Sequence, residues 1–133
     1  MAAALLLPMC AASVESDEPA PSALADTRWT LVELLEAEVT SGEHELAPEL
    51  RFEADGRATG SGGCNRFTGG WEADGARLRI GPVATTRRAC AHGMDREEIF
   101  FQALALVERF ELGENTLTLL RGDGRLLARF AER

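Results

Sequence analysis

Glu49-Leu50-Arg51-Phe52-Glu53-Ala54-Asp55-Gly56-Arg57-Ala58-Thr59-Gly60-Ser61 holds the local signal from which the fold is read. Leu50 and Phe52 alternate with charged neighbours, the period of two that gives a strand one buried face. Asp55-Gly56 is a tight-turn dipeptide, because glycine reaches positive φ without a Cβ penalty. Residues 58–61 then pair back. The signal recurs twice: residues 67–73 and 77–80 flank Asp74-Gly75, and residues 116–120 and 125–130 flank Gly122-Asp123-Gly124. Residues 28–34 have strand composition, and the acidic residues 36–47, with Gly42, read as a loop. Hairpins closed by short turns predict an antiparallel sheet.

Residues 95–109 break this pattern. Ile99, Phe100, Ala103, Leu104, Leu106, Val107 and Phe110 recur at three- and four-residue steps, which predicts a helix with a wide, well-buried apolar face. Asp95 suits the N-cap and Glu98 completes a capping box, while Glu97 and Glu98 oppose the positive end of the helix dipole. Phe100, Leu104 and Val107 are expected to make the helix the main contributor to the core. Strands, one helix, then strands make an α+β chain: a curved antiparallel sheet packed on one α-helix.

Acids outnumber bases 22 to 14 and the net charge is −8; every basic residue is Arg. Residues 1–50 carry ten of the acids and a single Arg. Phosphate backbones need a clustered basic surface, so no nucleic-acid partner is expected. No apolar run reaches the roughly 18 residues of a membrane span. Residues 1–10 end in Leu7-Pro8-Met9-Cys10, which resembles a bacterial lipobox in which Cys10 is the lipidated residue. No Arg or Lys precedes the apolar run, and Met9 stands where a lipobox has Gly or Ala. Residues 11–27 hold two prolines, four acids and few large apolar groups, the composition of a flexible tether. Residues 28–133 form the domain. The location expected is the bacterial cell envelope, lipid-anchored or periplasmic, with membrane contact through the lipid anchor only. The alternative is a cytoplasmic protein with an apolar N-terminal stretch.

Gly60-Ser61-Gly62-Gly63-Cys64-Asn65-Arg66-Phe67-Thr68-Gly69-Gly70-Trp71 is the most distinctive stretch. A phosphate-binding loop would place a helix or Lys after the glycines. Asn65 and a strand follow instead, so the glycines read as permitting close backbone packing at a bend. Cys64, Cys90 and His92 admit several readings. A disulfide fits an exported chain whose third cysteine, Cys10, carries lipid. Two buried free thiols are the plain alternative. A zinc site would still lack a fourth ligand, and a Cys/His nucleophile pair rests on residue types alone. His44 sits in an acidic stretch that lacks the spacing of a calcium loop.

At these residues the chain resembles the META, or HslJ-like, domain family. Trp29 and Leu31 are similar to its opening strand; Gly63-Cys64-Asn65 with Phe67 and Gly69 to its G-C-N-x-F-x-G core; Thr86 with Ala89-Cys90 to its T-x-M-A-C segment. Glu97 or Glu98 with Leu104 is similar to its helix, and Leu117 with Leu119 to its closing hairpin. Arg88 stands where the family has Met, and Trp71 where Tyr is common. The resemblance implies a partly open β-barrel around one helix, frequent in envelope lipoproteins and secreted proteins. It also implies association with heat shock and novobiocin resistance, and no established catalysis.

The expected function is a non-enzymatic, envelope-tethered binding or stress-tolerance module, with no catalytic residue, no metal and no cofactor. The alternatives are a carrier of a lipid or peptide inside the barrel and a thiol enzyme using Cys64 and His92. The expected binding rim is Asn65, Arg66, Trp71, Arg87, Arg88 and His92, facing an envelope protein or an anionic or amphipathic ligand. A monomer is expected.

Overall fold

The computed structural model describes residues 23–40 and 46–133. Among them are ten strands and one helix. In chain order these are β1 (Thr27–Leu34), β2 (Ala37–Glu38), β3 (Glu49–Phe52), β4 (Arg57–Ser61), β5 (Arg66–Asp74), β6 (Arg77–Ile80) and β7 (Ala84–Thr85). Then follow α1 (Met94–Leu106), β8 (Arg109–Gly113), β9 (Thr116–Leu120) and β10 (Leu126–Glu132).

The three hairpins expected from Asp-Gly and Gly-Asp-Gly turns form as β3–β4, β5–β6 and β9–β10. Leu50 and Phe52 are buried while Glu49 and Arg51 are half-exposed, as the period of two requires. Strand neighbours run β10-β9-β8-β6-β5-β4-β3-β1-β2, and β1 also pairs with β10, which brings the sheet round into a ring. The ring is not a regular barrel. Its seam between β6 and β8 holds one register pair, Arg77 with Arg109. Beyond the end of β6 the chain keeps to β5 as β7, pairing Ala84 with Thr68 and Thr85 with Phe67. This is the α+β curved sheet on one helix that the pattern implies.

Side chains fill the interior. Phe52, Phe67, Phe110 and Phe130 from the strands and Phe100 from α1 are fully buried, with leucines between them. The Phe100 ring lies edge-on to Phe67 of β5 at 6.0 Å and to Phe130 of β10 at 6.2 Å. One helical side chain thus ties together strands that are far apart around the ring. Such edge-to-face pairs add about 0.5–1.5 kcal/mol to the burial itself.

Several expectations are corrected. The helix runs Met94–Leu106 instead of 95–109, and its N-cap is Gly93 at φ 83°, with no side-chain cap. Asp95 and Glu98 therefore make no capping box. The helix ends where Val107 turns extended, and Phe110 reaches the core from β8. Both fit a helical spacing because Val107, just past the helix, and Phe110, on β8, are buried three positions apart with two exposed residues between them. Nor is the helix the main contributor: of the core it supplies Phe100, Ala103 and Leu104, and the strands supply most of the rest. Ile99 and Leu106 are 41% and 44% exposed, whereas Phe101, which the pattern leaves out, packs on Phe67. β2 lies inside the stretch read as loop. Ahead of residue 28, Leu24 is fully buried and the Asp26 N–H donates to the Phe52 carbonyl at 2.7 Å. Cys10, most of the tether and His44 lie outside the described residues.

Candidate functional site

The geometry around Cys64 begins with an acid on the apolar face of α1. Glu97 stands three residues before Phe100 and seven before Leu104, so helical geometry points it inward with them. It is 3% exposed. A carboxylate there is costly unless its oxygens are bonded. Oε2 accepts from the backbone N–H of Cys64 at 2.8 Å and of Asn65 at 2.7 Å, and Oε1 accepts from Asn65 Nδ2 at 2.6 Å. These charge-assisted bonds hold the G-C-N bend against the helix.

Asn65 passes the connection on. Its Oδ1 accepts from the Arg88 N–H at 2.6 Å and from Thr86 Oγ1 at 3.0 Å, and its Nδ2 donates to the Arg88 carbonyl at 3.1 Å. The side-chain amide thereby acts as a strand partner for Arg88. The bend is glycine-rich because two elements approach it closely. A Cβ on Gly62 would lie 2.5 Å from Glu97 Cγ, and one on Gly60 would lie 2.0 Å from the Glu49 carbonyl oxygen. Cys64 and Cys90 form a disulfide, with Cα atoms 6.0 Å apart, that ties the bend to the segment before α1. Neither sulfur is then a free nucleophile or a metal ligand.

Above this base lies a groove of about 870 Å³. Arg66, Arg88, His92, Arg96 and Leu46 line it, with the disulfide in its wall. Leu46 is 70% exposed, which gives an otherwise basic groove one apolar lip. Arg96 also reaches two backbone carbonyls: Nη2 donates to that of Leu46 at 2.7 Å and Nη1 to that of Thr40 at 3.3 Å. Glu49 lines the groove as well, with its carboxylate paired to Arg133.

The structure brings together three of the six rim residues, Arg66, Arg88 and His92. Arg87 is exposed on the same segment but does not line the groove. Asn65 is buried beneath it as a brace. Trp71 lies five residues further along β5, with its ring edge on Phe52 at 5.3 Å and Nε1 donating to the Glu53 carbonyl at 3.0 Å. It belongs to the packing of the far end. Glu97, Arg96 and Leu46 were missed by residue type. A signal for Glu97 was present: it shares a helical face with Phe100 and Leu104, and a charge on a buried face requires partners.

The model of the META domain matches residues 22–133. The chain belongs to the META domain family. The domain is similar to a protein solved by NMR, at 26% identity and TM-score 0.67, over 85% of this chain and 95% of that one. It is also similar to a Burkholderia xenovorans protein solved by NMR, at 25% identity and TM-score 0.70, over 91% of this chain and 93% of that one. A crystal structure of a DUF4847 family protein from Bacteroides vulgatus shares the fold, at 20% identity and TM-score 0.58, over 81% and 93% of the two chains. No curated protein matches.

Proposed function

We propose that this META domain is a non-enzymatic binding module, held at the bacterial cell envelope by lipid on Cys10, that recognises an anionic or amphipathic envelope component in stress tolerance. The observation that carries the reading is the convergence of Arg66, Arg88 and His92 on one groove with an apolar lip. Guanidinium groups grip carboxylate and phosphate oxygens in a fork, and Leu46 offers surface to an adjoining apolar part. The base beneath is braced by Glu97, Asn65 and the disulfide, so the groove is set before a ligand arrives and little ordering cost falls on binding. The packed interior supports a surface site over a chamber inside the ring.

Two measurements test this. Palmitate labelling of the wild type and of Cys10→Ala in a bacterial host should mark only the wild type; equal labelling removes the anchor. For the groove, the Cys10→Ala chain is mixed with vesicles of phosphatidylcholine, with or without phosphatidylglycerol. Sedimentation should require the anionic lipid, weaken with salt and fall about tenfold in Arg66→Ala/Arg88→Ala, a loss of about 1.4 kcal/mol. Equal sedimentation of that folded variant rules the groove out.

A further inference from the structure

The segment that carries Arg87 and Arg88 is also an unpaired strand edge. Thr86 donates its N–H to the Arg66 carbonyl at 3.0 Å, and Arg88 uses both its N–H and its carbonyl on Asn65. Ala84 pairs with Thr68. Residues 84, 86 and 88 thus direct their backbone groups at β5. In an extended chain alternate residues point their N–H and C=O groups oppositely, so those of Thr85 and Arg87 face out of the sheet. Residues 84–89 are all exposed; the Thr86 N–H bond to Arg66 makes Thr85 and Phe67 the non-hydrogen-bonded pair between β7 and β5, and no backbone partner of Arg87 occurs among the described residues. The two outward pairs lie about 7 Å apart, the repeat at which an added strand presents its own alternate residues.

We propose that this edge, Ala84 to Arg88, takes up an extended acidic segment of a partner protein as an added β-strand. This deepens the groove reading and rests on it for the acidic character of the partner; the edge geometry stands apart. The backbone supplies the hydrogen bonds and the flanking side chains supply the selection. Arg87 and Arg88 project to opposite sides of the strand, and Arg66 stands beside Thr86 on β5. Among the described residues none of these three arginines has an acidic partner. The net charge of −8 does not oppose this, because charges beyond a Debye length of about 8 Å are screened at physiological salt while these three lie at the edge itself. Arginines on an edge also deter pairing between copies of the chain, which leaves acidic strands as the complementary class.

The test uses the 15N-labelled full chain and capped eight-residue peptides. One alternates Thr and Glu, one alternates Thr and Lys, and one is the Thr/Glu peptide N-methylated at every residue, which blocks both of its edges. At nine-tenths saturation the Thr/Glu peptide should slow amide exchange of Thr85 and Arg87 about tenfold, since exchange proceeds from the unbound fraction, and should leave Thr86 and Arg88 unchanged. The Lys and N-methylated peptides should give no protection. Unchanged exchange at Thr85 and Arg87 with millimolar Thr/Glu peptide overturns the proposal. So does equal protection by the N-methylated peptide, which would leave the groove reading standing. Equal protection by the Lys peptide overturns the acidic partner and counts against the groove.

Discussion

Asn65 meets Arg88 across 23 positions of sequence, and its side-chain amide takes both the N–H and the carbonyl of that one residue, at 2.6 and 3.1 Å. With Glu97 bonded to the other side of Asn65, the bend before β5, the segment after β7 and α1 are fixed to one another. The disulfide repeats part of this connection covalently.

The brace should dominate local stability. Glu97→Ala leaves the N–H groups of Cys64 and Asn65 without their acceptor, and each orphaned buried donor costs about 1–3 kcal/mol. Urea unfolding should show a loss of about 2–5 kcal/mol for this variant and a smaller one for Glu97→Gln, which keeps an acceptor oxygen. A loss no larger than that of the exposed-surface change Glu98→Ala would contradict the role given to Glu97.

The two faces of α1 should separate cleanly. Leu104 is 1% exposed, and Leu104→Ala should cost about 2–5 kcal/mol. Ile99 is 41% exposed, so Ile99→Ala should stay within about 0.5 kcal/mol. Similar losses at both sites would mean the helix is rotated from the position described.

The unreduced chain should run two hydrogens lighter than the reduced chain in mass spectrometry, with Cys64 and Cys90 blocked to alkylation. The bond closes a loop with 25 intervening residues, so reduction should lower stability by at most about 3.5 kcal/mol in the chain-entropy picture. Asn65 and Glu97 should keep the bend in place after reduction, visible as unchanged amide shifts for Thr68–Trp71. Wholesale loss of dispersed signals would show that the noncovalent brace is insufficient.

Acid titration should report the first hairpin. The backbone N–H of Arg57, aided by its guanidinium, holds the Asp55 carboxyl below its ordinary value of 3.8. A depressed folded value contributes stability that is present above the unfolded value and is lost as pH falls through the folded one. NMR titration of the Asp55 carboxyl carbon should therefore give a midpoint below 3.8, and Asp55→Asn should weaken the pH dependence on the acid side. A midpoint at or above 3.8 would contradict the turn geometry.

Local signals made the hairpins legible. Leu50 and Phe52 alternate and Asp55-Gly56 turns the chain, and both signals sit within a few residues of each other. β8 was hidden because Val107 and Phe110 continue the helical spacing, and only the extended backbone at Val107 breaks it. β7 is two exposed residues whose partner lies in β5, so nothing in its own composition marks it. At the site, the cysteine pair and Arg66, Arg88 and His92 were legible by residue type. Trp71 lies off the groove because β5 carries it five positions, about 17 Å, beyond Arg66, and nearness to Cys64 in sequence does not show this. In sequence Glu97 reads as a helix-end charge, and its burial depends on the bend that only the folded chain brings to it.

The claim that the basic groove carries the function is tested most directly by complementation of a deletion strain under heat or novobiocin stress. The chain is supplied as wild type, as Arg66→Glu/Arg88→Glu, and as Arg121→Glu/Arg125→Glu, which reverses two exposed charges at the β9–β10 turn. At matched expression and folding, the wild type and the turn variant should restore growth and the groove variant should not. Restoration by all three would contradict the assignment of function to Arg66, Arg88 and the groove they line.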